Sequence, residues 1–255
     1  MLPDLEPIQW IALATGAAGI GISKSGFPGV SMLHVVLFAF VFGAIESTGV
    51  LLPMLVVGDL CAIRFFGRKA NWTQVRRLLP PTLTGIGIGF ALMNQLGDRD
   101  RVFQFLIGSI ILSLSLVQAF RLIRPKALET VPHQFWFAAL LGLLAGVTTM
   151  LANAAGPVIA LYLLAVALPK WELIGTSAWL FLVLNVMKLP LSFGLDLIST
   201  STLIVGGMLA PIIPLGILLG RFLVTRVPQF WFNVILLAFT VFAAIRLIIE
   251  SNPVG

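Results

Sequence analysis

Charged residues are scarce in this sequence, and their scarcity excludes a soluble domain. They make up 10% of the 255 residues, whereas 59% of the residues are hydrophobic and the mean hydropathy is +1.06. In soluble domains, charged residues alone account for about a quarter of the chain. The composition therefore predicts an integral membrane protein.

Cysteine and histidine are scarce as well. Because Cys61 is the only cysteine, no internal disulfide can form, and the redox compartment stays open. The sequence has no HExxH or GxSxG motif, and its two histidines, His34 and His133, lie far apart, so an intramembrane protease is not indicated. We predict a protein that is not an enzyme and that uses no metal and no cofactor.

Basic residues outnumber acidic ones and give a formal net charge of +6. They lie in short loops between apolar runs, which is typical of membrane topology signals rather than of nucleic-acid binding. The stretch GIGISKSG resembles a phosphate-binding loop, but Ser23 stands where the glycine before the lysine should be, so we predict no nucleotide site. The acidic N-terminal stretch MLPDLEPIQW is not typical of a removable signal peptide.

Long apolar runs recur along the chain, and a membrane-spanning helix needs about 20 apolar residues. We predict an all-α integral membrane protein with about ten helical segments in a single transport domain that fills residues 1–255. The predicted segments are 8–22, 28–45, 47–63, 78–96, 102–120, 135–152, 157–168, 173–188, 201–220 and 229–247.

The second five segments resemble the first five, which indicates an internal duplication. Pro28 matches Pro157, and Asp59 falls opposite Lys188 at the same spacing along the chain. The glycine pairs of the two halves also match, and we interpret them as helix contact faces. The predicted repeats are 8–123 and 135–250, and the matching glycines are Gly85 and Gly89 in the first and Gly216 and Gly220 in the second.

The orientation follows from the Lys and Arg residues. If the loop 64–77 is cytoplasmic, most of the 16 Lys and Arg residues fall on the cytoplasmic side, as the positive-inside rule requires. This arrangement puts both termini outside and makes the two repeats run in opposite directions through the membrane. Eight spans in two parallel halves give a similar bias and stay an alternative.

Two predicted segments are too short to cross a bilayer. Residues 8–22 rise about 22 Å as a helix, at about 1.5 Å per residue, against a hydrocarbon core of about 30 Å. Residues 157–168 are shorter still. We therefore predict that each half begins with a hairpin of broken helices, with a first tip at 23–29 and a second tip at 153–157 near the middle of the bilayer. Whether the hairpins are re-entrant or fully spanning stays open.

The broken tips are the predicted substrate site. Half-helix N-termini carry unpaired N–H groups and partial positive charge, which favour an anion, and paired interruptions mark transport sites. Lys24 would add a full cation, although a lysine that reaches to the membrane interface is the alternative. The tip residues that we predict to bind substrate are Ser23, Lys24, Ser25, Gly26, Pro28, Gly29, Asn153, Gly156 and Pro157.

A second polar cluster lies in the segment GTSAWLFLVLNVMKLP. It contributes Thr176, Ser177, Asn185 and Lys188 as second-rank substrate contacts. Asn185 and Lys188 share a helix face because they are three residues apart. The alternative is ordinary helix packing with a lysine at the outer interface. Tyr162 is predicted either to line the same cavity or to pack in the core.

Three residues are candidates for coupling transport to a proton. They are Asp59, His34 and Glu46. The alternatives are an ion pair between Asp59 and Arg64, an outer-loop position for Glu46, and a hydrogen-bonded helix position for His34. Of the three, Asp59 is the first proton candidate.

Six stretches of the chain together resemble the TauE/SafE membrane transporter family, also called the sulfite exporter or toluenesulfonate uptake permease family. They are GISKSGFPGVSML, GVLLPMLVVGDLCAIRFF, RRLLPPTLTGIGIG, ANAAGPVIALYLLA, GTSAWLFLVLNVMKLPL and PLGILLGRFL. The resemblance implies movement of sulfite and related oxyanions, or of organic sulfur anions such as sulfoacetate. The family pattern covers Lys24, Gly26, Pro28, Gly29, Asn153, Gly156, Pro157, Thr176, Ser177, Asn185 and Lys188.

Together, these observations predict a secondary transporter of small sulfonated or carboxylated anions in the bacterial inner membrane. It would work by alternating access in the export direction. A passive anion channel, a proton-coupled uptake permease and a membrane scaffold subunit are the alternatives. The predicted partners are a small anionic substrate and the lipid bilayer but no nucleic acid; a homo-oligomer stays open.

Overall fold

The protein is all-helical, as the sequence predicts. A computed structural model describes residues 5–27, 29–97, 99–124, 135–226 and 229–251. These residues form eleven α-helices, and a single 3-10 turn, Gly67–Lys69, follows the third. The helices are α1 Pro7–Lys24, α2 Val30–Phe42, α3 Ala44–Phe66, α4 Trp72–Leu96, α5 Asp100–Ile123, α6 Phe135–Ala152, α7 Ala155–Ala165, α8 Lys170–Gly194, α9 Thr200–Leu209, α10 Ile212–Arg226 and α11 Gln229–Ser251.

Several of these helices are long and apolar enough to cross a membrane, so the chain is a multi-pass membrane protein. Within the described residues there are four such stretches, and a fifth if the bent pair α9 and α10 counts as one span. The four are Ala44–Lys69, Asp100–Phe120, Phe135–Ala152 and Lys170–Gly194.

The predicted segment 201–220 is present, but it is not one continuous helix. Two helices, α9 and α10, occupy this stretch and meet at an angle of 43°. Residues 210 and 211 form a turn between them, and Pro211 lies at the break. Proline has no N–H to donate and its ring collides with the preceding turn of a helix, so a bend is the physical consequence.

The breaks predicted at both tips are present. α1 ends at Lys24 and α2 begins at Val30, while α6 ends at Ala152 and α7 begins at Ala155. α2 and α7 have 13 and 11 residues, so they rise about 20 Å and 17 Å, less than the hydrocarbon core of about 30 Å.

Each tip contains one residue with a left-handed backbone. Gly26 has φ 116° in the first tip and Asn153 has φ 51° in the second. Glycine adopts positive φ freely, and asparagine is among the residues that tolerate it best. Pro157 lies in the first turn of α7, as predicted. The prediction for Pro28 lies outside the described residues.

The most extensive helix contacts are preserved when the two halves are exchanged. In this exchange α1 corresponds to α6, α2 to α7 and α3 to α8. The pair α9 and α10 corresponds to α4, and α11 corresponds to α5. It maps the contact between α1 and α10 onto that between α6 and α4, and it maps the contacts of α3 with α8 and of α5 with α11 onto themselves. A two-fold relation between duplicated halves would produce this packing; their inversion in the membrane stays a prediction.

Glycines hold two of these helix pairs close together. A Cβ on Gly85 of α4 would collide with the carbonyl oxygen of Leu143 in α6, and one on Gly216 of α10 would collide with that of Ala18 in α1. Small residues at these positions let the helix backbones touch. The predicted helix contact faces are confirmed. They hold α4 against α6 and α10 against α1, and α1 and α6 are the helices that end at the two tips.

Candidate functional site

A cavity of about 60 Å³ lies where the two tips meet α3 and α8. This volume holds roughly four water-sized molecules. We call it the central cavity. Its polar lining comes from both halves, with Ala155 and Gly156 at the N-terminus of α7. The lining residues are Ser23, Lys24, Gly26, Ser31, His34, Leu55, Thr149, Asn153, Ala155, Gly156, Ala160, Leu173, Ile174, Ser177, Ala178, Phe181 and Asn185.

Lys24, the last residue of α1, forms a buried ion pair. Its Nζ lies 2.6 Å from Oδ1 of Asp59 in α3, and the two side chains are 9% and 0% exposed. The same Nζ lies 4.5 Å from the centroid of the Phe181 ring, over its face. Lys24 therefore reaches a buried partner instead of the membrane surface, and Asp59 pairs with Lys24 rather than with Arg64.

Asp59 also links the two halves. Its second oxygen, Oδ2, accepts a 2.7 Å hydrogen bond from Nδ2 of Asn185 in α8. Both oxygens of this fully buried carboxylate thus have a partner, one from each half. A buried carboxylate needs such partners because burial removes its hydration.

Lys188 forms a second buried centre, on α8. Its Nζ lies 2.5 Å from Oδ1 of Asn153, 2.6 Å from the carbonyl oxygen of Thr149 and 3.2 Å from the Thr149 hydroxyl oxygen. Asn153 in turn donates a 3.2 Å hydrogen bond to the carbonyl oxygen of Thr48. Lys188 is 2% exposed, so it ties the second tip to α8 and does not extend to the outer interface.

The two tips are therefore tied to the central helices in equivalent ways. Lys24 bonds to Asp59 and Asn153 bonds to Lys188, with the same number of residues between the partners in both halves. The charges are exchanged: the cation is on the tip in the first half and on the long helix in the second.

The sequence matches a known family. The family model described as sulfite exporter TauE/SafE matches residues 11–247. The chain belongs to the TauE/SafE family. No curated protein and no solved structure matches it. The matched range includes both tips, α3 and α8, so every residue of the central cavity belongs to the TauE/SafE region, and the family is one of transporters of sulfur anions.

His34 of the TauE/SafE chain faces the central cavity with its ring nitrogens available. The side chain is 1% exposed, and neither Nδ1 nor Nε2 has a hydrogen-bond partner among the described residues. A buried imidazole without a partner costs folding free energy. Glu46, in contrast, is exposed in the first turn of α3 and does not line the cavity.

Some residues predicted at the TauE/SafE site have structural partners instead. Thr176 accepts a 2.9 Å hydrogen bond from the backbone N–H of Asn71 and so holds the start of α4. Ser25 is buried and donates to the carbonyl oxygen of Ile22. Tyr162 donates a 2.8 Å hydrogen bond to Gln74, which favours core packing. The predicted residues that do not line the central cavity are Thr176, Ser25, Gly29, Pro157, Tyr162 and Lys188. Lys188 lies behind its lining and bonds to Thr149 and Asn153.

Sequence reasoning missed Thr149, Ser31 and Phe181 as lining residues. Thr149 precedes Asn153 by one helical turn on α6, and this spacing is the signal that could have found it. Phe181 could not be found by a search for polar residues in apolar runs, because its contact with Lys24 is made by the face of an apolar ring. Within the part of the TauE/SafE chain that the structure describes, no cluster of His, Cys, Asp and Glu could hold a metal ion.

Proposed function

We propose that this TauE/SafE protein is a secondary transporter that exports small sulfur-containing anions, sulfite or sulfonates, across the bacterial inner membrane by alternating access. One observation carries the proposal: Lys24 of the first half lines a small cavity between two broken helices, and Lys188 of the second half bonds to Thr149 and Asn153 in the lining of the same cavity. Charged groups within membrane helices are costly and mark transport pathways.

The cavity has the donors that an oxyanion requires. The first residues of α7 line it, and the N–H groups in the first turn of a helix have no partner within the helix. His34 adds an imidazole, and Ser177 adds a hydroxyl. Apolar residues complete the wall, so an anion would be held by a few directed bonds in a site of low dielectric.

The membrane potential favours export. With a negative interior, the outward movement of one negative charge gains about 2.3 kcal/mol per 100 mV. Export therefore needs no coupled ion. Uptake would need one, and Asp59 is the group that could take a proton, since it lies against Lys24 at the cavity wall.

Counterflow in proteoliposomes tests this function. Liposomes preloaded with unlabelled sulfite should accumulate labelled sulfite in wild type, because a carrier exchanges substrates and a channel does not. Lys24→Met should abolish accumulation, whereas Lys170→Met, the same change at an exposed lysine at the start of α8, should leave it unchanged. Accumulation at the wild-type rate in Lys24→Met would contradict the proposal.

A second variant separates transport from folding. Lys24→Met alone leaves Asp59 buried without its cation, and breaking a buried pair costs about 3–5 kcal/mol. The double variant Lys24→Met with Asp59→Asn removes both charges and should restore the thermal stability of the purified protein without restoring counterflow.

A further inference from the structure

The charges around the central cavity do not cancel. Among the described residues, the charged side chains that line it or bond to its lining are Lys24, Asp59 and Lys188. Lys24 and Asp59 neutralise each other at 2.6 Å. Lys188 has no carboxylate among its partners.

The surroundings of Lys188 can solvate an ammonium ion. Its Nζ contacts three oxygen atoms, and an ammonium group has three N–H donors and no acceptor. Two of the three, the Thr149 carbonyl and the Asn153 side-chain oxygen, can only accept. These partners solvate the cation without removing its charge.

His34 counts as neutral in this balance. Neither ring nitrogen has a partner among the described residues, and a buried imidazolium would need an acceptor for each N–H. With Lys24 and Lys188 protonated and Asp59 ionised, the empty site carries one positive charge.

We propose that the central cavity selects monovalent oxyanions, such as alkanesulfonates and hydrogensulfite, over divalent ones such as sulfate and the sulfite dianion. The inference rests on the proposed function and defines its substrate class further. A monoanion brings the buried charge to zero, whereas a dianion leaves one negative charge and a neutral molecule leaves one positive charge. An uncompensated buried charge is strongly unfavourable.

This balance gives Asp59 a specific role. Without its carboxylate the site would carry two positive charges and would match a dianion. Asp59 is therefore a specificity-determining residue that sets the valence of the anion through Lys24, and it need not contact the substrate.

Binding of methanesulfonate and sulfate to the purified protein tests the inference. Both anions present sulfur-bound oxygens in a tetrahedral group of similar size, but they differ by one charge. In calorimetric titrations, wild type should bind methanesulfonate about tenfold more tightly or better. Asp59→Asn should reverse the preference toward sulfate, and Lys188→Gln, which leaves no net charge, should weaken methanesulfonate binding about tenfold or more.

Asp196→Asn is the matched control for Asp59→Asn. Asp196 is exposed after α8 with φ 55°, a conformation that asparagine tolerates. It should keep the wild-type preference.

The outcomes distinguish the inference from the proposed function. Equal or tighter sulfate binding by wild type would overturn the charge balance even if Asp59→Asn fails to fold, since that measurement needs no variant. If counterflow of sulfite is present at the same time, the transport function stands and only the inference fails. Absence of both binding and counterflow counts against the proposed function itself.

Discussion

At the scale of single residues, the central feature is a polar contact that occurs once in each half. The lysine is on the tip in the first half and on the long helix in the second. Lys24 with Asp59 and Asn153 with Lys188 each join a tip to a long central helix. In the first half the partner of the lysine is a carboxylate; in the second it is a neutral amide. This one difference leaves the charge that an anionic substrate can balance.

Asn153→Asp converts the second bond into a copy of the first. We expect this variant to fold, because aspartate also tolerates positive φ and a buried ion pair with Lys188 would offset the lost hydrogen bond to the Thr48 carbonyl oxygen. Sulfite counterflow should fall at least tenfold, because the site would then carry no net charge. Asn94→Asp, at an exposed position of α4, is the control that should transport normally. Full counterflow in Asn153→Asp would show that the charge of Lys188 is not used.

The sequence allowed the identities of these residues to be predicted, but not their partners. Lys24, Asn153 and Lys188 stand out because polar residues are rare in apolar runs. The pairing of Lys24 with Asp59 depends on how α1 and α3 are rotated toward each other, which the spacing along the chain does not determine. Arg64, nearer in sequence to Asp59, was for that reason a plausible but wrong partner.

At the scale of helices, close packing through glycine positions the tips. α4 lies against α6, and α10 against α1, at glycines where any side chain would meet the backbone of the neighbouring helix. The helices α1 and α6 end in the tips, so their placement fixes the distance between Lys24 and Asn153. Packing at a distance from the cavity therefore controls the geometry of the site.

Gly85→Ala and Gly87→Ala, two positions on α4, test this packing. Gly85→Ala should lower the free energy of unfolding by about 1–3 kcal/mol, since the new methyl group collides with the carbonyl oxygen of Leu143. Gly87 has nothing within 4 Å of an added Cβ, so Gly87→Ala should be neutral or stabilise by up to about 1 kcal/mol. Thermal unfolding in detergent measures both, and equal midpoints would refute the contact.

The helix breaks could be predicted only in part. Short apolar runs next to glycine and proline marked both tips, because such runs cannot cross a bilayer as helix. The bend between α9 and α10 was missed since the stretch 201–220 is apolar throughout, and its hydropathy outweighed the signal of Pro211.

At the scale of the whole molecule, the proposed alternating access requires two oppositely oriented halves. Exchange of the halves preserves the most extensive helix contacts, and α3 and α8 are the equivalent central helices. If the halves are inverted, the C-terminal ends of these two helices lie on opposite sides of the membrane. If the halves are parallel, both ends lie on the same side.

Cysteine labelling at these two ends decides between the arrangements. In a Cys61→Ser background, Arg68→Cys follows α3 and Asp196→Cys follows α8, and both positions are exposed. A membrane-impermeant thiol reagent applied to intact cells should label Asp196→Cys, whereas Arg68→Cys should react only after the membrane is opened. Labelling of both from the same side would establish parallel halves.

In the proposed function, both tips together form one binding site for a sulfur oxyanion. Selenite is a close chemical analogue of sulfite, and its selenium can be located by anomalous diffraction from crystals of the protein. We expect one selenium peak in the central cavity, between Lys24 and Asn153 and within reach of His34. A cavity without selenium in crystals that carry bound selenite elsewhere on the protein would contradict it.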